Sequence, residues 1–189
     1  GIEITGLGDE ARCMECHQGR QSTVSVNEAL EEAGVEDDEV SEDLGFQNIH
    51  YYAAAATKYG TEAKGGYEYD GKSYDAVFAH VDGYQTCNQC HNPHTLELQL
   101  EGCADCHEGV TSAEDLRDVR MAGSLVDYDG DGDLEEGVFY ETQGLQEILY
   151  QAMQDYAAEV AGTPIVYDAA SYPYWFTDEE EGYNAWTPR

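Results

Sequence analysis

The sequence predicts a mainly α fold with long irregular loops and a small β-hairpin. Three observations carry this. Leu145, Ile148, Leu149, Ala152, Tyr156 and Val160 repeat at i, i+3, i+4 and i+7 spacing, the apolar stripe of a helix, and Gly162 with Pro164 ends it. Elsewhere, short helix signals sit between acidic, glycine-rich stretches. Leu, Ile, Val and Phe are sparse in the first 110 residues, where Ala and Tyr make up much of the apolar content, so side chains alone supply little core.

Three copies of C-x-x-C-H stand at Cys13, Cys16 and His17, at Cys87, Cys90 and His91, and at Cys103, Cys106 and His107. This is the attachment signature of c-type haem. Two thiols three residues apart can form thioethers to both vinyl groups on one porphyrin edge, and the adjacent histidine reaches the iron. The six cysteines all fall inside these motifs, which leaves none for disulfides. Of the six histidines, three are motif residues and three, His50, His80 and His94, remain. Three vacant axial positions meet three spare histidines, so the expectation is three haem c per chain, each ligated by two histidines. The fold is then a multihaem cytochrome c fold organised around stacked haems, large flat hydrophobes that supply the missing core. A zinc ribbon on Cys87, Cys90, Cys103 and Cys106 is the rival reading. It strands Cys13 and Cys16 and makes the histidine after each second cysteine a threefold coincidence.

Taken in order, Ser25 and Glu28 have capping-box spacing and predict a helix ending at Gly34. His50 lies in GFQNIHYYAAAATKYG, read as a helix that stops at Gly60. Residues 66–75 predict a hairpin around Asp70-Gly71. His91 and His94 are too close in the chain, with Pro93 between them, to take both faces of one porphyrin, so His94 is expected to serve a neighbouring haem. Leu96, Leu98 and Leu100 alternate as a strand would, with Glu101-Gly102 as the turn into the third motif. Two modules result: a trihaem electron-transfer module over 1–110 and a haem-free helical module over 111–189.

The second module opens with Ser112, placed to cap a helix through Met121. DYDGDGDLEEG follows, with Asp127, Asp129 and Asp131 at positions 1, 3 and 5 of a calcium loop, Gly132 at the turn, and Asp133 where a backbone carbonyl would ligate. Position 12 is Val138 instead of glutamate, so Glu135, Glu136 or Glu141 would have to close the shell around Ca2+. The tail is aromatic, with Trp175, Phe176 and Trp186 suited to docking or to contact between subunits.

Forty acidic residues against eight basic ones give a formal charge of −32. That excludes nucleic acid, whose phosphates demand clustered Lys and Arg, and docking on anionic lipid. No stretch is long and apolar enough to span a bilayer. Haem is attached to C-x-x-C-H outside the cytoplasm, so an export signal removed ahead of Gly1 and an extracellular, cell-surface or periplasmic location are expected.

CNQCHNPHTLEL with CADCH, HYYAAAATKYGTEAKGGYEYDG, and DYDGDGDLEEG leading to SYPYWF and NAWTPR together resemble the extracellular multihaem c-type cytochromes of respiring bacteria and archaea, some of which form filaments. The resemblance covers most of the chain. It implies electron transfer to redox partner proteins or extracellular acceptors, in a likeness that includes homopolymeric filaments. It also implies that Arg189 marks a cleaved or shortened product. Saturated axial ligation fits an electron carrier and not an enzyme. The alternatives are a soluble shuttle with all ligands internal, or a subunit of a catalytic multihaem reductase with one five-coordinate haem.

Overall fold

The computed structural model describes residues 3–36, 39, 41, 43–50, 52–77 and 79–177. Parts of the acidic runs at 36–39 and 179–181, and the terminal segment with Trp186, lie outside them. A 3₁₀ turn, Gly8–Glu10, leads into α1, Ala11–His17; α2 is Thr23–Ala33, α3 Ala54–Tyr59, α4 Cys87–Cys90 and α5 Leu100–Ala104. The longest element is α6, Val138–Tyr156, which runs on through a π turn, Ala157–Ala161. Val166–Tyr167 (β1) and Trp175–Phe176 (β2) pair antiparallel, Val166 opposite Phe176.

Local sequence accounts for the ends of these elements. Gly34 closes α2 in the left-handed conformation at φ 66, and Gly162 closes the α6 extension at φ 70. The start of α2 differs from expectation. The helix begins at Thr23, with Ser22 at the cap and Ser25 Oγ accepting from the Ser22 N–H at 2.9 Å, while Ser25 and Glu28 are interior. Tertiary bonding sets this register: Thr23 is buried, its N–H donates to the Lys64 carbonyl, and its hydroxyl donates to Gly66 and accepts from the Glu68 N–H.

Other local expectations also change. The alanine helix is six residues long and does not include His50, which precedes it at φ 78. Asp70-Gly71 does turn the chain, but among the described residues 66–75 form no ladder; the hairpin is the β1–β2 pair instead. Leu96, Leu98 and Leu100 are not a strand, since Leu96 has φ 64 and Leu100 opens α5. Only an isolated bridge between His91 and Leu98 remains. Glu101 and Gly102 are helical, not a turn. The segment after Ser112 is a single 3₁₀ turn, Asp115–Asp118, because the Asp115 carboxylate captures the N–H groups of Thr111 and Ser112, both at 2.7 Å, and holds the entry tight.

The core is small and divided. Met14, Leu44, Ala55 and Ala56 are buried in the first half; Val110, Ala157, Ile165 and Phe176 are buried in the second. Phe46 joins the halves through edge contacts to Tyr172 at 6.3 Å and Tyr174 at 6.1 Å. Among the described residues many large apolar side chains are exposed, Leu96, Met121, Leu125 and Tyr172 among them. On α6 the predicted stripe itself is open, with Ile148 at 53% and Leu149 at 60% exposure. Among the described residues, no helix is long and apolar enough to cross a membrane.

Small residues permit the close approach between α3 and the 60–75 loop. A Cβ on Gly65 would lie 2.6 Å from the Ala56 Cβ and 3.0 Å from Ile49 Cδ1, whereas one on Gly66 meets nothing within 4 Å. Gly65→Ala is accordingly expected to cost about 1–3 kcal/mol through overpacking, and Gly66→Ala less than about 0.5 kcal/mol. Denaturant unfolding of the two variants reads the difference.

Candidate functional site

Each C-x-x-C-H motif is wound around a helical turn. The first lies within α1, the second is α4 with its C-cap His91, and the third begins in α5, where the His107 N–H returns to the Cys103 carbonyl at 2.8 Å. Helical winding sets thiols three residues apart on one side, the arrangement that two thioethers to one porphyrin edge require. The turn of α4 is fixed at its start by Thr86, whose N–H donates to Gln89 Oε1 at 2.9 Å.

Two motif histidines are already oriented. His17 Nδ1 lies 2.7 Å from the Tyr52 carbonyl and His91 Nδ1 lies 3.2 Å from the Leu96 carbonyl. Donation from Nδ1–H fixes the tautomer and leaves Nε2 as the nitrogen for a metal. Leu96 takes its positive φ as its carbonyl is set toward the His91 ring, which gives the irregular backbone there a use.

The three motifs are gathered together. Burial, then the Glu10 carboxylate and the Cys13 thiol, push the Cys87 thiol up to about 11. Cys13 Sγ is also 4.0 Å from Asn88 Oδ1. Burial and then the neighbouring Cys103 raise Cys90. The first motif thus reaches the second through Cys13 and Asn88, and the second and third lie near one another. Gln99 adds backbone ties, its N–H donating to the Cys90 carbonyl at 2.8 Å and its side chain to the Asn88 carbonyl at 3.1 Å. Among the described residues, the groups whose candidate ligand atoms converge within 4.8 Å are both carboxylate, so the thiols do not form a zinc-type cluster.

Of the spare histidines, His80 faces a motif residue: its ring centroid is 6.1 Å from that of His107. His94 sits in a turn made by Asn92, whose Oδ1 accepts from the His94 N–H at 2.9 Å. His50 is held by the Asn48 side chain through its N–H at 2.8 Å. Both are exposed.

Sequence reasoning missed Glu10. It is 6% exposed, pairs with Lys58 at 3.0 Å, and accepts from the Cys87 N–H at 2.9 Å. It therefore joins the first motif's entry, α3 and the start of α4. The available signal was its place three residues ahead of Cys13 in a chain with few cations to pair.

The acidic loop is built by short side-chain turns. Asp127 accepts from the N–H of Gly130 at 2.6 Å and Gly132 at 3.0 Å, Asp129 from Asp131, and Asp131 from Asp133. Glu141, on the first turns of α6 and 1% exposed, accepts from the N–H of Tyr128 at 2.7 Å and of Asp129 at 3.2 Å, and its other oxygen pairs with Arg120. Two groups of carboxylates converge: Asp127, Asp129 and Glu141, and Asp129, Asp131 and Glu136. Glu136 Oε1 is buried without a hydrogen-bond partner among the described residues. Burial, followed by Asp131, Asp129, Glu141 and Asp133, pushes its carboxyl up. Glu135 and the Asp133 side chain fall outside both groups. Arg120, also missed from sequence, further caps the Glu136 carbonyl at 3.1 Å.

The chain is 32% identical over 126 residues to the C-type polyheme cytochrome OmcB of Geobacter sulfurreducens, in both strain DL-1/KN400 and strain ATCC 51573/DSM 12127/PCA. The match covers 52% of this chain, which spans 16% of the length of those relatives. No protein-family profile matches. No solved structure matches. Over about half its length, then, the chain is a distant relative of a multihaem c-type cytochrome.

Burial alone would raise Glu10, but the Cys87 N–H and Lys58 outweigh it and hold the carboxyl below its usual range. A depressed folded value means its stabilisation is complete above the unfolded value of about 4.3 and is lost as pH falls through the lower folded value. Glu10→Gln is expected to cost about 1–2 kcal/mol at neutral pH. The gap to wild type should close in thermal melts run at successively lower pH.

Proposed function

We propose that the chain is an electron carrier holding three haem c groups, with Cys13/Cys16/His17, Cys87/Cys90/His91 and Cys103/Cys106/His107 as attachment sites and His50, His80 and His94 as second axial ligands. The observation that carries this reading is the gathering of three helical C-x-x-C-H turns: Cys13 Sγ lies 4.0 Å from Asn88 Oδ1 inside the second motif, and Gln99, just ahead of α5, donates to the Cys90 carbonyl at 2.8 Å and the Asn88 carbonyl at 3.1 Å. Cofactors attached at such neighbouring points sit close enough for electrons to pass between them. The haem irons supply a one-electron ferric/ferrous couple. The protein fixes their spacing, orients His17 and His91 through backbone carbonyls, and places the Glu10–Lys58 pair between the first two motifs. Ligation of both iron faces by histidine suits transfer, because no open position is left for a substrate.

Our fuller reading is an extracellular filament in which copies of the chain repeat head to tail. The exposed apolar face of α6, exposed Tyr172 at 71%, and surface placement of His50 and His94 support it. Redox partners or extracellular acceptors would receive the electrons. An oxidised preparation is expected to show low-spin haem throughout its visible and EPR spectra, and native material is expected to show filaments by electron microscopy. A high-spin haem at full occupancy would favour the reductase alternative, and dispersed monomers would leave the soluble shuttle.

The acidic loop we assign to Ca2+, held by Asp127, Asp129 and Asp131 with the Asp133 carbonyl. Glu136 and Glu141 stand closer to the carboxylate groups than Glu135 does. Oxygen-only donors select a hard cation, and the orphaned Glu136 oxygen gives one a reason to be there. A Cβ on Gly144 would overlap the Asp129 carboxylate. Gly144→Ala should therefore weaken calcium binding measured by calorimetry, although Ala ordinarily favours a helix over Gly by about 1 kcal/mol. Unchanged binding in both Gly144→Ala and Asp129→Ala would reduce the loop to an acidic turn.

A further inference from the structure

We infer that His80 and His107 are the two axial ligands of one haem, the one attached at Cys103 and Cys106. This rests on the trihaem reading above and assigns a ligand pair within it. A histidine nitrogen sits about 2 Å from a bound metal, and an imidazole nitrogen about 1.1 Å from its own ring centre, so rings on opposite faces of one iron have centroids about 6.3 Å apart. His80 and His107 stand at 6.1 Å with planes inclined at 46°. Each ring can rotate about its own metal–nitrogen axis without altering that separation, so the inclination is compatible with trans ligation.

The separation is built into the backbone. Residues 80–85 form a compact loop in which the Tyr84 N–H donates to the Val81 carbonyl at 3.0 Å. Gln85 clamps it, its side chain donating to the His80 carbonyl at 3.2 Å and to Asp82 at 3.1 Å. The Gln85 N–H then donates to Gln89 Oε1 at 2.7 Å, which anchors the loop to α4. On its other side the Tyr84 ring presses on α5 at Gly102, where a Cβ would lie 2.8 Å from the Tyr84 Cε1. Gly102 is the residue before Cys103. The loop that carries His80 is thus tied to the second motif and wedged against the third, and the wedge requires glycine.

Among the described residues, no other pair of histidine rings is in contact. An exposed histidine usually turns to water; this one faces a haem-motif histidine from a loop that two separate anchors hold in place. The pairing crosses motifs, because His80 precedes the second motif and serves the third. His50 and His94 are left for the haems at His17 and His91, within the chain or across a subunit contact.

The test uses the holoprotein with three haems and compares EPR spectra of wild type, His80→Ala, Cys103→Ala/Cys106→Ala, and all three substitutions together. In the wild type, three low-spin haems establish the underlying reading; fewer haems or a high-spin component there would defeat that reading before the pairing is reached. His80→Ala is expected to turn one haem of three high-spin, with low-spin signal restored by added imidazole. In the background lacking the third haem, His80→Ala should produce no high-spin signal. A high-spin haem in that background, or three low-spin haems in His80→Ala alone, overturns the pairing. If the cysteine variant does not accumulate, Gly102→Ala substitutes for it. It should perturb one haem alone, and combined with His80→Ala it should still give one high-spin haem. Two perturbed haems in the combination overturn the assignment.

Discussion

A buried carboxylate holds the motif-bearing half together. Glu10 is bonded at once to Lys58 on α3 and to the first N–H of α4, so the short helices that carry the first two motifs are located relative to each other by one side chain. In a chain with 40 acidic residues, taking a carboxylate out of water is costly unless it is paired, and few cations exist to pair it. Lys58, one of only eight cations in the chain, stands at this joint. Arg120 does the same service in the second half, where Glu141 ties the acidic loop to the start of α6. Burial opposes the charge on Glu141, yet Arg120 and the two loop N–H groups hold its carboxyl below the usual range. Loss of either acid would remove a polar tie between these elements.

The rest of the site follows from how little the side chains enclose. With small alanine-rich contacts in the first half and an open stripe on α6, order comes from turns, caps and polar ties more than from a continuous core. Such a scaffold suits flat hydrophobic cofactors attached at fixed points, whose faces can lie on alanine and glycine surfaces that bulky residues would block. The irregular backbone at Leu96 and His50 belongs to the same scaffold: at positive φ, Leu96 offers its carbonyl to the His91 ring and His50 its N–H to the Asn48 side chain.

The C-x-x-C-H spacing, the three further histidines and the aspartate spacing of the acidic loop stand out in the sequence because each is a pattern over a few residues. So does α6, whose periodicity is long enough to outweigh local noise. Periodicity reports that a face is apolar, however, and not what covers it, so the exposure of Ile148 and Leu149 could not be read in advance. Positions decided by distant partners were misplaced: Ser22 rather than Ser25 caps α2 because Thr23 bonds residues more than forty positions away. The alanine run was extended back through His50 since propensity favours it, while the Asn48 side chain bonds the His50 N–H and the backbone there turns left-handed. Glu10 and Arg120 carry no motif at all, and their roles appear only when three elements meet.

Thioether-linked haem survives denaturation, whereas a coordinated zinc ion or a merely ligated porphyrin does not. Intact-mass spectrometry of the acid-denatured protein, purified from a host able to attach haem c, is therefore the most direct measurement of the central claim. The account predicts a chain mass increased by three haems. A chain mass with no haem attached, or with zinc found in the native protein in place of iron, would contradict it.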